Sequence, residues 1–400
     1  MQSYLCLRHL RDIPLRSPHP SLSYFSTNFS VRCYSGYATN TVTSASYNHQ
    51  RFYSDKNIRV SDFRSDTVTY PTDEMIDAMR MASRGDDLYN EDKTTKELEA
   101  YVAELTGHEA GLFAVSATMA NQLAIRTHLT RPPHSVLLDF HSHIYKYEAG
   151  GLASHSQALA IPINPLNKSH LTAQEIKSNL ISSDDIHHAP THLVCLENTL
   201  DGVIFPFSEI VQISRIARER GVKLHLDGAR LWNASAEKEI SLKQYGQYFD
   251  SITLCLSKSI GAPIGSILVG DQKFIDKARH FRKQFGGGWR QSGLLAAAAN
   301  FAIRKSYPDL IKETHTLARH LANGLQSHGI LILKPVDTNM VFIDVKPINL
   351  SITRLMTKLM EHDILIENSP GTITRLVLHY QITREAIDKF LWIVGELITE

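Results

Sequence analysis

The sequence predicts an α/β fold, with a mostly parallel sheet covered by helices and a smaller α+β unit after it. Three observations predict this. From about residue 62, short apolar runs alternate with helix-patterned segments, the pattern of βαβ units joined into a parallel sheet. Two of those runs end in chemically capable residues, Asp227 and Lys258, which lie 258 − 227 = 31 residues apart, about one βαβ unit. Beyond about residue 311 the texture changes to a long helix followed by short strands and helices.

The elements follow in order. Strands are expected at 111–115, 135–139, 192–196, 222–226, 251–254 and 266–269, each a short apolar run. Helices are expected among them at 93–105, 119–128, 208–220 and 272–281. A helix at 308–325 opens the second unit. Strands at 330–333, 340–345, 364–366 and 375–379 and helices at 352–362 and 384–398 complete it. The expected division is a leader, 1–58, a large domain, 59–310, and a small C-terminal domain, 311–400.

Composition narrows the function classes. The 400-residue chain carries 42 Lys+Arg against 41 Asp+Glu, a net charge of +1, which excludes a globally basic nucleic-acid binder. At 43% hydrophobic and 21% charged residues it has the make-up of a globular protein rather than a disordered one. Its longest apolar stretch, from Gly293 to Ile303, is 303 − 293 + 1 = 11 residues and contains Asn300. A membrane helix needs about 20. The four cysteines form no Cys-x-x-Cys pair, so neither a zinc site nor a disulfide framework is expected. Cys195 and Cys255 lie in apolar runs and read as core residues.

The neutral balance conceals an asymmetry. Residues 1–54 hold Arg8, Arg11, Arg16, Arg32 and Arg51 against a single acid, Asp12, for a net 5 − 1 = +4, which leaves +1 − 4 = −3 for the remainder. Arg-rich, Ser-rich and acid-poor composition is that of an organelle transit peptide. Arg32-Cys33-Tyr34-Ser35 and Arg51-Phe52-Tyr53-Ser54 are similar to mitochondrial presequence cleavage sites. The expectation is a mitochondrial matrix protein, with a cytoplasmic one as the alternative.

The most informative segment is Ser257-Lys258-Ser259-Ile260-Gly261. A lysine held at a strand end loses solvation, which favours its neutral, nucleophilic form and Schiff-base chemistry. Taken alone, a surface lysine is the plainer reading. Leu226-Asp227-Gly228-Ala229-Arg230 alters the balance, because ligands of open α/β sheets bind at the carboxyl ends of strands. A lysine for the Schiff base and an acid for the pyridinium nitrogen are what pyridoxal 5′-phosphate asks of a protein. The bland reading of Asp227 is a helix cap. Ser116-Ala117-Thr118, between a strand and a helix, could hold a phosphate on free N–H groups, although every helix start has that form.

With these residues in view, the chain resembles the low-specificity L-threonine aldolase family, pyridoxal phosphate enzymes with the aspartate-aminotransferase-like fold. The resemblance runs from about Asp62 to Arg384. Its motifs include Phe63-Arg64-Ser65-Asp66-Thr67, Gly85-Asp86-Asp87-Leu88-Tyr89, Ser142-His143-Ile144-Tyr145 and Gly286-Gly287-Gly288-Trp289-Arg290-Gln291, besides those around Asp227, Lys258 and Arg375.

The resemblance implies a role for each position. Lys258 would hold the cofactor, Asp227 would keep its pyridine nitrogen protonated and His143 would stack on its ring. Ser116, Ala117 and Thr118 would cradle its phosphate, with Arg290 reaching from another subunit. Ser65, Arg230 and Arg375 would hold the substrate carboxylate, for which an arginine fork is suited. For each arginine alone, a structural ion pair is an equally good reading. His187 matches a second active-site histidine, and Tyr89 a tyrosine that approaches across a dimer interface; a surface histidine and a core tyrosine are the alternatives. The base that takes the β-hydroxyl proton is His187, His143 or a held water.

The implied activity is retro-aldol cleavage of L-threonine or L-allo-threonine to glycine and an aldehyde, in a homotetramer. The alternatives are a related racemase, since some fungal members of the family are alanine racemases, a β-eliminating lyase, and a non-catalytic subunit on the same fold. Five positions depart from the family pattern. Ala117 replaces a glycine and would strain the turn if φ there were positive. Asn90 replaces a glycine, and asparagine tolerates a left-handed turn. Leu200-Asp201 replaces His-Asn, and Trp289 replaces a methionine.

Overall fold

The structure is a computed structural model and describes residues 60–181 and 185–399. The leader, with its arginines, Cys6 and Cys33, lies outside the described residues.

Among the described residues twelve strands occur in order: β1 Ser61–Asp62, β2 Ala110–Ala114, β3 Ser135–Asp139, β4 Leu159–Ile163, β5 Thr191–Glu197, β6 Lys223–Asp227, β7 Ser251–Cys255, β8 Ser266–Gly270, β9 Leu331–Ile332, β10 Met340–Asp344, β11 Ile364–Leu365 and β12 Ile373–Val377. Seven form the main sheet, in the order β2-β8-β7-β6-β5-β3-β4. Every pairing from β7 to β4 is parallel, and β8 alone runs against both its neighbours. The central strands are buried on both faces, which is why they read as continuous apolar runs.

Edge strand β4 has no counterpart among the expected strands. It is half-exposed and contains Pro162, which has no N–H for a ladder and is tolerated at an edge. The apolar stretch beginning at Gly293 is a buried helix, Gly293–Ser306, packed on helices Asp73–Met81 and Lys93–Thr106. Among the described residues no helix is long and apolar enough to cross a membrane.

Two large hydrophobic cores stand out among the described residues, beside smaller clusters. The larger lies around the sheet and extends from Met75 to Ile311. The second gathers residues from Ala318 onward around the antiparallel sheet β12-β10-β9, with Ile343 and Leu376 at its centre. Phe63 belongs to this second core, with its ring 5.4 Å from that of Phe390. The residues that open the described chain therefore pack with its end, where β1 pairs in parallel with β11. Sequence proximity had placed them with the large domain. β12 also starts two residues earlier than expected. Just past the strand, Leu378 donates to the Asn339 carbonyl and the His379 ring donates to the Asp62 carbonyl.

Candidate active site

The parallel strands and β2 deliver their carboxyl ends to one edge of the sheet, where ligands bind in folds of this kind. Ser116 follows β2, His143 follows β3, Glu197 ends β5, Asp227 ends β6 and Lys258 follows β7. Asp227 and Glu197 face each other in register. Gly228 can only be glycine, because a Cβ there would lie 2.8 Å from the Thr253 carbonyl oxygen. Gly261, after Lys258, has φ +84°, which glycine alone adopts without strain.

Asp227 is 1% exposed, and its partners are neutral N–H donors. Ala229 N–H reaches Oδ1 at 3.0 Å and Asn121 Nδ2 reaches Oδ2 at 2.8 Å. No cation pairs with it among the described residues. Asn121 lies on helix Ala117–His128 and also donates to Glu148 Oε1 at 2.9 Å. Glu148 also accepts from Gln122 Nε2–H at 2.5 Å and from His143 Nδ1–H at 3.0 Å, which leaves His143 Nε2 unpartnered among the described residues. The His143 backbone N–H is fixed by Glu197 Oε2 at 2.7 Å. Burial pushes the Glu197 carboxyl well up, the charge of Asp227 adds to this, and the His143 N–H and Lys258 partly offset it.

Helix Ala117–His128 begins at Ser116, whose hydroxyl accepts the Met119 N–H at 3.1 Å. The Ala117 and Thr118 N–H groups have no partner among the described residues and point out of the helix start, where an anion is favoured. Ala117 takes ordinary helical geometry with no positive φ, so replacing the usual glycine creates no strain. Asn90 does sit in the left-handed region, at φ 58°.

The two arginines differ. Arg230 closes its Nε and Nη2 edge on Asp66, at 2.8 and 2.6 Å. Asp66 is fully buried and is also bonded by Ser259 Oγ at 3.0 Å and Asn339 Nδ2 at 3.2 Å. Burial would raise the Asp66 carboxyl, but the charge and hydrogen bonds of Arg230 outweigh it and hold it well below the usual range. The fork expected to grip a substrate carboxylate is thus already filled by a protein carboxylate. Arg375, on β12, has among the described residues a buried Nε with no partner and a distant ion pair to Glu367 at 3.8 Å. Lys258 likewise has no hydrogen bond or ion pair among the described residues.

Other expected site residues stay apart in the single chain. Tyr89 is 76% exposed, on the turn Asp87–Tyr89, which Arg282 anchors through a buried ion pair with Asp87. Arg290 is exposed and reaches Asp86 at 3.4 Å. His187 sits on an exposed turn ahead of β5, whereas Glu197 ends that strand. The two ends of β5 lie about 20 Å apart, six steps of about 3.3 Å, and His187 precedes the end opposite to Glu197. Ser65 lies beside Asp66 and accepts from the Thr67 N–H and hydroxyl at 3.2 and 2.9 Å. Asn121, Glu148 and Asp66 were not singled out from sequence. The available signal was the adjacent pair Asn121-Gln122 on a helix face that is otherwise apolar.

The residues present fit pyridoxal phosphate. Two buried acids, Asp227 and Glu148, lie close together and call for positive charge, which a pyridinium supplies. The open N–H groups of Ala117 and Thr118 suit a phosphate, and the uncommitted Lys258 amine suits a carbonyl carbon.

Comparison with known proteins agrees with this geometry. The family model for β-eliminating lyases matches residues 62–347. The chain is 48% identical over 337 residues to a low specificity L-threonine aldolase of Saccharomyces cerevisiae, covering 84% of this chain and 86% of that one. It is 33% identical over 344 residues to the alanine racemase TOXG of Cochliobolus carbonum, covering 84% and 87%. Among solved structures, the threonine aldolase of Leishmania major superposes with a TM-score of 0.73 at 22% identity, covering 84% of this chain and 99% of that one.

Proposed function

We propose, from the premise that this chain belongs to the β-eliminating lyase family and to the low-specificity L-threonine aldolases within it, that it is a pyridoxal phosphate-dependent lyase. It cleaves L-threonine and L-allo-threonine to glycine and acetaldehyde. The observation that carries the reading is the uncommitted Lys258 amine on the sheet edge that also holds buried, cation-free Asp227.

Lys258 would hold the cofactor, Asp227 would face its ring nitrogen, and Ser116, Ala117 and Thr118 would take its phosphate. When bound, the cofactor supplies an electron sink for the bond that breaks at Cα. The chain does the rest. Arg375 offers its free edge to the substrate carboxylate and so fixes which Cα bond stands over the ring. Glu148 holds the His143 Nδ1–H, leaving Nε2 as the nitrogen that accepts the β-hydroxyl proton. Glu197 anchors the His143 backbone. Arg230 serves at one remove, by fixing Asp66 beside Ser259 and Lys258.

The racemase alternative predicts D-alanine from L-alanine. Incubating the purified protein with pyridoxal phosphate and each amino acid separates the two. Glycine plus acetaldehyde from L-threonine supports the aldolase, whereas D-alanine without threonine cleavage overturns it. Lys258→Ala should lose the visible absorbance of bound cofactor and all cleavage.

We also propose a homotetramer. Support comes from the exposed Tyr89 and Arg290, which the family resemblance assigns to the site and one chain leaves outside it. Light scattering tests this. A mitochondrial location, with glycine formation from threonine there, is supported by the Arg-rich, acid-poor residues 1–54. Import into isolated mitochondria, followed by N-terminal sequencing, tests it.

A further inference from the structure

Asp227 and Glu148 place their nearest oxygens, together with a His143 ring nitrogen, within 4.8 Å of one another. Two buried carboxylates that close repel strongly unless something donates to both. The group between them is one amide. Asn121 Nδ2 gives one hydrogen to Asp227 Oδ2 at 2.8 Å and the other to Glu148 Oε1 at 2.9 Å. Because both neighbours are acceptors, the NH₂ must face them, and Oδ1 must face away.

Behind the amide, Oδ1 meets His225 Nε2 at 3.2 Å. An amide oxygen only accepts, so His225 donates from Nε2 and, when neutral, accepts at Nδ1. The acceptance comes from Ser251 Oγ at 2.8 Å, and Ser251 in turn accepts from His128 Nε2 at 2.7 Å. The bonds form one directed chain, in which each donor has a single choice of acceptor. Burial pushes both imidazoles down to about 3, which keeps them neutral and preserves that direction. His225 is 0% exposed, between the buried Leu224 and Leu226 of β6.

We propose that Asn121 is a positioning residue that joins the carboxylate serving the cofactor nitrogen to the carboxylate that orients His143, and that His225 locks its amide in the required direction. The inference rests on the pyridoxal phosphate reading of the site. Asn121 touches neither substrate nor reacting atoms; it acts through Asp227 and Glu148. With Asn121 gone, one of the two acids takes up a proton. Either Asp227 then loses the charge that holds the cofactor nitrogen, or Glu148 releases the His143 ring.

The test titrates apoprotein with pyridoxal phosphate, following fluorescence quenching, and measures kcat and KM for L-threonine on the loaded enzyme. Asn121→Leu, similar in size but without the amide, should weaken cofactor binding about tenfold or more and lower kcat, with KM within about twofold, because Arg375 is untouched. His225 supplies a second pair of variants. Gln places an amide N–H near the position of Nε2 and should keep cofactor affinity within about twofold of wild type. Asn reaches only the Ser251 side and should lose affinity severalfold. Melting temperatures of all apoproteins check folding, and should Asn121→Leu not fold, the His225 pair decides. Wild-type affinity in Asn121→Leu and His225→Asn, or equal losses in His225→Gln and His225→Asn, overturns the proposal. Wild-type apoprotein that binds no pyridoxal phosphate would instead overturn the reading of the site, which keeps the two failures distinct.

Discussion

At the floor of the site, Asp227, Glu148 and Asp66 are buried, and each is surrounded by donors from the protein itself. At its rim, Lys258 and the Nε of Arg375 have no partner among the described residues, and Tyr89 and Arg290 are exposed. The floor binds itself before any ligand arrives, while the rim waits for one. Substitutions in the floor should therefore be read in stability as well as in cofactor binding, and substitutions at the rim in binding alone.

The largest expected effect tests the floor. Asp66→Ala strands Arg230 as a buried, unpaired charge, which costs about 3–5 kcal/mol. Urea unfolding of the apoprotein measures it, and a loss below about 1 kcal/mol would dissolve the distinction. Arg375→Leu tests the rim. It should raise KM for L-threonine about 10–100-fold while changing apoprotein stability by less than about 1 kcal/mol. An equal loss of stability would place Arg375 in the floor after all.

Acid sharpens the contrast further. His225 has a folded-state pKa of about 3, below its ordinary 6.5. The unfolded chain therefore binds the extra proton first. The stability that neutral His225 contributes is full above 6.5 and falls by up to about 1.4 kcal/mol per pH unit as pH drops toward 3. His225→Gln should flatten that limb in pH-dependent melting.

Glu197 gives a smaller effect of opposite sense. Its folded pKa is raised, so its contribution is complete below the unfolded value near 4.5 and is lost as pH rises through the folded one. Glu197→Gln should gain stability relative to wild type with rising pH. A gap between the two that stays constant with pH would argue against a raised carboxyl.

Much of the floor's scaffold was legible because strands buried on both faces must be apolar and end abruptly. Ser135–Asp139 was readable to the residue, and Asp227 and Lys258 announced themselves as polar residues closing such runs. β4 was not legible, because an edge strand with Pro162 and partly exposed side chains lacks that signature. Asn121 and Glu148 were hidden for another reason: on a helix, or just past one, a polar residue looks solvated until the fold buries it. His225 stood in plain view as a histidine inside Lys-Leu-His-Leu-Asp, but its partners Ser251 and Asn121 are 26 and 104 residues away. Arg230 and Arg375 were indistinguishable as sequence, since what separates them is Asp66, 164 residues before Arg230.

The pairing of Ser61 with Ile364 and of Asp62 with Leu365 sets a limit on processing. Four residues later the same strand of chain reaches Asp66 and, through it, Arg230 and Ser259. Any protease that trims the amino terminus has therefore to stop before Ser61. A cut near Ser54 spares the pairing, whereas one at Arg64 would remove Phe63 from the second core and leave Asp66 within two residues of a new, mobile end. The first two paired residues thus act as a ruler for how much of the amino terminus this fold could lose.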